Sequence, residues 1–250
     1  YSNDTAAPVA KGPLVQKAWA MGAMGNASHG WWSGGDPSKS FVQRLDFAND
    51  TSESSMKGYM TTARTECYAT SNLENALPQG FPQGTAGTYG VGYWGGGSPG
   101  PFSTVDRVDY ANDTATASQR GPLNNTRAFN AAVSSVDYGY WGGGQGPGFK
   151  SNIDRVDYSN DTATASARGN LSAARYHFGG VSNVNFGYFG GGDAGSNSSV
   201  VDRLDYGTDT ANATPKGPLS AATRYISAAG NKSYGYFSQG GPSTKSTIDR

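Results

Sequence analysis

The chain has a single cysteine, Cys67, in 250 residues, which excludes an intrachain disulfide framework and a cysteine-based zinc site. Glutamate is confined to Glu53, Glu66 and Glu74, while glycine occurs 37 times, a balance that favours turns over helix. The 19 basic and 19 acidic side chains cancel, so no overall field draws in nucleic acid or an anionic membrane. No apolar run approaches the ~20 residues that cross a bilayer, and no membrane insertion is expected. A start at Tyr1 without a signal-like apolar segment predicts a mature or excised piece of a longer polypeptide. Histidine is nearly as scarce: His29 and His177 stand at non-equivalent places and form no metal set or nucleophile–base pair with Cys67. Each is expected to be an isolated surface histidine or a satisfied one. No Gly-x-Ser-x-Gly elbow is present.

What the chain does have is a repeat. The aromatic residue before an Asn-Asp-Thr-type turn recurs at Tyr1, Phe47, Tyr110, Tyr158 and Tyr206, with separations of 46, 63, 48 and 48. A period of about 48 falls in the range of β-propeller units. The repeats run over about 1–46, 47–109, 110–157, 158–205 and 206–250 as a single domain. The last copy stops at Ile248-Asp249-Arg250, and the residues its pattern demands next are those with which the chain begins.

Each unit reads as four short strands. The first holds Arg175-Tyr176-His177-Phe178 or Arg224-Tyr225-Ile226, and the second is an aromatic segment ending in glycines, such as Phe186 to Gly192. The third is Val201 to Tyr206, with Asp202, Leu204 and Tyr206 on one face. A turn at Asn160-Asp161-Thr162 leads to a small fourth strand, Ala163 to Ser166. Four antiparallel strands per repeat predict an all-β, five-bladed β-propeller. Its ring closes by joining N- and C-terminal strands in one blade, with Tyr1–Lys11 as the outer strand beside Thr223–Arg250. An open solenoid is the rival, disfavoured because the split repeat at the termini is what closes a ring. The second unit exceeds the usual length by 15 residues between Tyr68 and Tyr89, which places an extra loop between its first and second strands.

The glycines ending an apolar strand, the aromatic strand, and the Pro-Leu plus Arg before the next inner strand resemble the kelch repeat over essentially the full chain. The Trp expected after the third strand is replaced by Asn-Asp-Thr-Ala-Thr-Ala-Ser, which separates the chain from ordinary eukaryotic kelch adaptors. The wording Asp154-Arg155-Val156-Asp157-Tyr158-Ser159-Asn160-Asp161-Thr162, with Gly187-Tyr188-Phe189-Gly190-Gly191-Gly192, is similar to repeats in structural proteins of tailed phages, notably those of marine cyanobacteria. The resemblance implies a kelch-like propeller serving as a virion component of tail, fibre or capsid-decorating type. It assigns no catalytic residue.

The triple glycines lack a following Gly-Lys-Ser/Thr or helix, so they read as strand ends of positive φ and not as a phosphate loop. The Asp-Arg pairs at Asp106, Asp154, Asp202 and Asp249 could be glycosidase carboxylates, but near-identical copies around a ring single out no pair. They are expected to form blade-to-blade ion pairs with Arg64, Arg127, Arg175 and Arg224. Calcium is disfavoured because two of the acids lie on a strand, away from the turn. The Asn-x-Ser/Thr sites at Asn3, Asn49, Asn112, Asn160, Asn197 and Asn212 are read as turn chemistry.

Most aromatics, including Trp19, Trp94, Trp141, Tyr188 and Tyr236, are assigned to repeated strand positions that pack between blades. Those outside the pattern are the binding candidates: Phe81 in the insertion with its polar neighbours Gln79 and Asn75, Phe102 and Phe149 in glycine-rich loops, and the doubled Trp31-Trp32. The expectation is a non-enzymatic structural or interaction module of a virion, extracellular, with no cofactor, no metal and no nucleic acid. Its partners would be other virion proteins or a host-surface glycan, and a larger assembly could make it oligomeric. A carbohydrate-binding propeller is the alternative, and a glycoside hydrolase ranks third.

Overall fold

The computed structural model describes residues 9–71, 90–231, 233–241 and 247–250 and is a five-bladed β-propeller. The first blade holds β1 (Gly22–Gly25), β2 (His29–Ser33), β3 (Lys39–Asp46) and β4 (Ser55–Arg64). The second holds β5 (Tyr68–Ser71), β6 (Val91–Gly95), β7 (Val105–Asp109) and β8 (Ser118–Gln119). The third opens with β9 (Ala131–Ser134) and β10 (Tyr138–Gly142), carries a miniature hairpin of β11 (Gln145–Gly146) and β12 (Gly148–Phe149), and ends with β13 (Asn152–Asp157) and β14 (Ser166–Asn170). The fourth is β15 (Gly179–Ser182), β16 (Phe186–Gly190), β17 (Val201–Asp205) and β18 (Thr214–Pro215). The fifth shows β19 (Ser227–Gly230), β20 (Gly235–Ser238) and β21 (Ile248–Asp249). All pairings are antiparallel and follow chain order outward. The expected closing strand lies mostly at residues 1–8, outside the described residues.

Two boundaries differ from expectation. The first strands begin later than Arg175 and Arg224, because His177 and Tyr225 adopt left-handed φ of 56° and 57°, which breaks an extended run. The fourth strand of the third blade begins only at Ser166, because the chain first makes a 3-10 turn at Tyr158–Asn160, whose start is capped by Asp157 accepting from the Ser159 amide at 2.9 Å.

The second strand explains how blades adhere. Period-two alternation sends its two adjacent rings to opposite neighbours. Tyr140 stacks on Tyr206 of the fourth blade, centroids 5.0 Å apart, and donates its hydroxyl to Asp209 at 3.0 Å. Trp141 turns to the second blade and donates Nε1 to the Tyr68 carbonyl at 3.1 Å. The same stacking recurs between Tyr93 and Tyr158 and between Trp31 and Tyr110. Trp94, Trp141 and Phe189 are fully buried, and truncating such a ring to Ala costs about 3–5 kcal/mol. Trp19 is a correction: it precedes β1, pairs its backbone with Asp36, and is 65% exposed, so it is no packing residue.

The Asp-Arg motif divides its labour differently from the expected blade-to-blade pairing. Its aspartates pair with the arginine that leads into their own blade: Arg127 meets Asp154 at 2.7 Å, Arg175 meets Asp202 at 3.0 Å and Arg64, at the end of β4 of the preceding blade, meets Asp106 at 3.0 Å, every partner fully buried. The arginines Arg107 and Arg155, and Arg44 at the equivalent place after Gln43, cross to the next blade and reach the turn aspartates Asp161, Asp209 and Asp113 at 2.8–3.0 Å. Arg224 does not belong to the first set. Thr223 occupies the corresponding buried place, and Arg224 pairs with Asp193. The glycine runs end as expected, with Gly143 and Gly144 at φ 54° and 99° and Gly191 and Gly192 at 67° and 104°.

Candidate binding face at the mouth of the central channel

The innermost strands β1, β5, β9, β15 and β19 stand around a central channel. Small residues at one register position, Ala23, Ala69, Ala132, Gly180 and Ala228, form its waist, because a larger side chain there would fill the axis. A cavity of about 510 Å³ opens where the inner strands begin, and another of about 480 Å³ opens where they end.

The rim of the first opening is set by one residue per blade, three places before the waist: Ala20, Glu66, Phe129, His177 and Tyr225. These are the only non-glycine residues of positive φ among the described residues, at 54° to 59°. Each such conformation costs of order 1 kcal/mol and persists only where its surroundings enforce it. Here the rim is tied backbone to backbone, with the Tyr225 amide donating to the His177 carbonyl at 2.8 Å, His177 to Phe129 at 2.9 Å and Glu66 to Ala20 at 3.0 Å. Geometry repeats at this position and side-chain chemistry does not, whereas the blade-joining arginines, aspartates and rings repeat in both.

The rim is lopsided. An aromatic arc spans the third to fifth blades: His177 lies 4.3 Å from Phe129, 4.5 Å from Tyr176 and 4.1 Å from Tyr225, centroid to centroid. Phe149 extends the arc, 4.7 Å from Tyr176. Arg224, held by Asp193, lies over the Tyr225 ring at 5.2 Å. Tyr225 is 54% exposed and Trp19, beside it on the same cavity, 65%. Across the opening stands Glu66, whose carboxyl group is pushed up to about 7, first by burial and then by the charge of Asp36. His177 is 7% exposed and neither ring nitrogen has a hydrogen-bond partner. Burial, and then the Arg224 charge, lower its pKa to about 4, so the imidazole is neutral at neutral pH.

Of the sequence candidates, Phe149 alone joins this cluster. Phe102 is half-buried in the loop between β6 and β7, where its carbonyl accepts from the Arg127 amide at 2.9 Å. Trp31 is a correction, 1% exposed and stacked on Tyr110 with Nε1 on Asp113 at 2.9 Å, because it faces the neighbouring blade as Tyr93 and Tyr140 do. Trp32 lines the other end of the channel, away from Phe149. Asn75, Gln79 and Phe81 lie outside the described residues. The expectation that His177 is isolated or satisfied also fails, since it is buried without partners among four aromatic or charged neighbours. The rim residues Glu66, His177 and Tyr225 were readable only by aligning the position two after each repeat's Arg64, Arg127, Arg175 and Thr223, where no two copies agree. Among the described residues no three His, Cys, Asp or Glu side chains gather as a metal site.

Fold and rim together define a five-bladed propeller with one chemically distinctive mouth. No protein-family model matches the chain, and no curated protein matches it.

Proposed function

We propose that the chain is a non-enzymatic recognition module that presents this mouth, with the loops after each second strand, to a partner outside the cell, as a structural component of a viral particle. The observation that carries the reading is the contrast at the rim: five backbone-equivalent positions, held rigidly in a costly conformation, bear five different side chains. A rigid ring with variable chemistry at one opening suits binding, in which strain tolerated by the scaffold serves the site. The repeat wording supports the virion part of the reading, since it resembles repeats of phage tail and fibre proteins.

The test uses labelled protein on glycan and protein arrays and on intact bacterial cells. Binding should disappear in a Trp19→Ala/Tyr225→Ala variant and persist in a Trp32→Ala/Phe47→Ala variant at the opposite opening. Binding that survives the first change and fails with the second moves recognition to the other face and defeats the proposal.

One observation favours a second reading, glycoside hydrolysis. Glu66 lines the cavity within the field of the Asp36 carboxylate, and it keeps its proton to near neutrality as a general acid must. Release of reducing sugar that stops on Glu66→Gln would replace the non-enzymatic reading with this one.

A further inference from the structure

We infer that the mouth takes a neutral saccharide, its ring laid against the exposed faces of Trp19 and Tyr225 and its hydroxyls directed to Glu66 and His177. The inference rests on the recognition reading and names its ligand class.

Four features converge on it. The first is the pairing of exposed aromatic faces. Trp19 and Tyr225 belong to adjacent blades and border one cavity, and Tyr225 is braced from below by the His177 ring and from the side by the Arg224 guanidinium. A braced, exposed aromatic face loses little entropy when an apolar sugar face covers it.

The second is the polar complement. Glu66 makes no side-chain hydrogen bond among the described residues, and its raised pKa keeps a share of it protonated near neutral pH, when it both donates and accepts. Neutral His177 likewise offers one N–H and one lone pair, both unpaired beneath the exposed Tyr225 ring. A hydroxyl is donor and acceptor at once, so a sugar edge reaching past the braced Tyr225 ring is the kind of partner that both groups lack. An unpaired buried polar group is otherwise a cost that packing alone gives no reason to keep.

The third is charge. Arg224, the cation of the aromatic arc, is neutralised by Asp193, and Glu66 stands in the field of the Asp36 carboxylate, so the mouth offers no free positive charge among the described residues to hold phosphate, sulfate or an acidic sugar. The fourth is size. A cavity of about 510 Å³ above a waist of alanines and one glycine accepts a terminal sugar or a disaccharide and stops a bulkier chain from threading through.

The experiment is a titration of the full chain with glucose, galactose, mannose, N-acetylglucosamine and their β-linked disaccharides, read by saturation-transfer NMR and tryptophan fluorescence. A trilysine peptide and inorganic phosphate serve as charged probes. At least one neutral sugar should bind, and Trp19→Ala and Tyr225→Ala should each weaken it about tenfold or more. Tyr59→Ala, which removes an equally exposed ring from β4, should leave it unchanged. Both mouth aromatics are exposed, so melting temperatures should match the native chain and rule out misfolding. No binding of any sugar at millimolar concentration, or binding indifferent to both aromatic changes, overturns the inference. Trilysine binding at the mouth without sugar binding overturns it too, yet leaves recognition standing, whereas sugar binding abolished only by Trp32→Ala and Phe47→Ala defeats both.

Discussion

Arg155 of the third blade holds Nη1 2.8 Å from Oδ2 of Asp209 in the fourth, and the same oxygen accepts the Tyr140 hydroxyl at 3.0 Å. Arg168 of the outer strand approaches it at 3.4 Å. One carboxylate thus gathers two guanidiniums and a phenol from the preceding blade, and Asp161 does the same for Arg107, Arg120 and Tyr93. With one cysteine and no metal cluster among the described residues, these clamps and the stacked rings above them hold adjacent blades in register.

Replacing Asp209 with Asn should therefore destabilise the fold strongly, by about 3 kcal/mol, since it strands two partly buried guanidiniums without a counter-charge. Asp157→Asn, which weakens only the cap of a surface turn, should cost about 1 kcal/mol or less. Urea unfolding midpoints compare the two. Equal losses would mean that the clamp contributes no more than a turn does.

A second contact joins the blades at the backbone. The Gly169 amide donates to the Asp209 carbonyl at 2.9 Å, and a Cβ on Gly169 would lie 1.9 Å from the Ala211 carbonyl oxygen. Gly12, Gly58 and Gly121 stand in the same relation to Ser52, Ala115 and Ala163. Gly169→Ala should thus cost about 3 kcal/mol by forcing two blades apart, while Gly100→Ala, whose Cβ would meet nothing within 4 Å, should stay within about 0.5 kcal/mol of the native chain. Thermal unfolding of the two variants decides the matter.

The sequence made the ring legible because its wiring repeats. Period, strand number and glycine positions follow from residues that recur every 48 or so places, and packing between identical neighbours leaves them little freedom. The partners of the wiring were harder to read. Asp154 and Arg155 are adjacent in sequence but point to opposite faces of β13, one into its own blade and one across to the next. The site was least legible, because an aromatic that differs in identity need not differ in place: Trp31 is a Tyr140 equivalent in a buried stack. Glu66, His177 and Tyr225 sit inside the repeat, where only the left-handed backbone of the rim reveals that their side chains are free to differ.

His177→Phe should stabilise the protein, by about 1–2 kcal/mol at neutral pH, because it removes two buried, unpartnered nitrogens. The backbone permits it: Phe129 holds the equivalent rim place at φ 55°, against 56° for His177. The pH dependence gives the sign. The folded pKa is depressed from 6.5 to about 4, so this histidine's contribution is present above 6.5 and lost as pH falls through 4, where the unfolded chain takes the proton first. Melting temperatures of the native chain should fall relative to His177→Phe across that interval. A variant no more stable than the native chain at any pH would show that the imidazole is satisfied in solution.

Glu66 acts in the opposite sense and in an overlapping window. Its folded pKa is raised from 4.5 to about 7, so the protonated carboxyl contributes stability fully present below 4.5 and lost as pH rises through 7, because the unfolded chain ionises first. Glu66→Gln, a neutral shape match, should equal the native chain near pH 4 and exceed it in stability at pH 8. Asp36→Asn separates the two causes. Burial is the larger, so the Glu66 midpoint, followed by the NMR shift of its carboxyl carbon, should move down when Asp36 is neutralised yet remain above the ordinary glutamate value. A midpoint that drops to the ordinary value would assign the shift to the neighbouring charge, and with it the idea that the mouth shields Glu66 from water would fail.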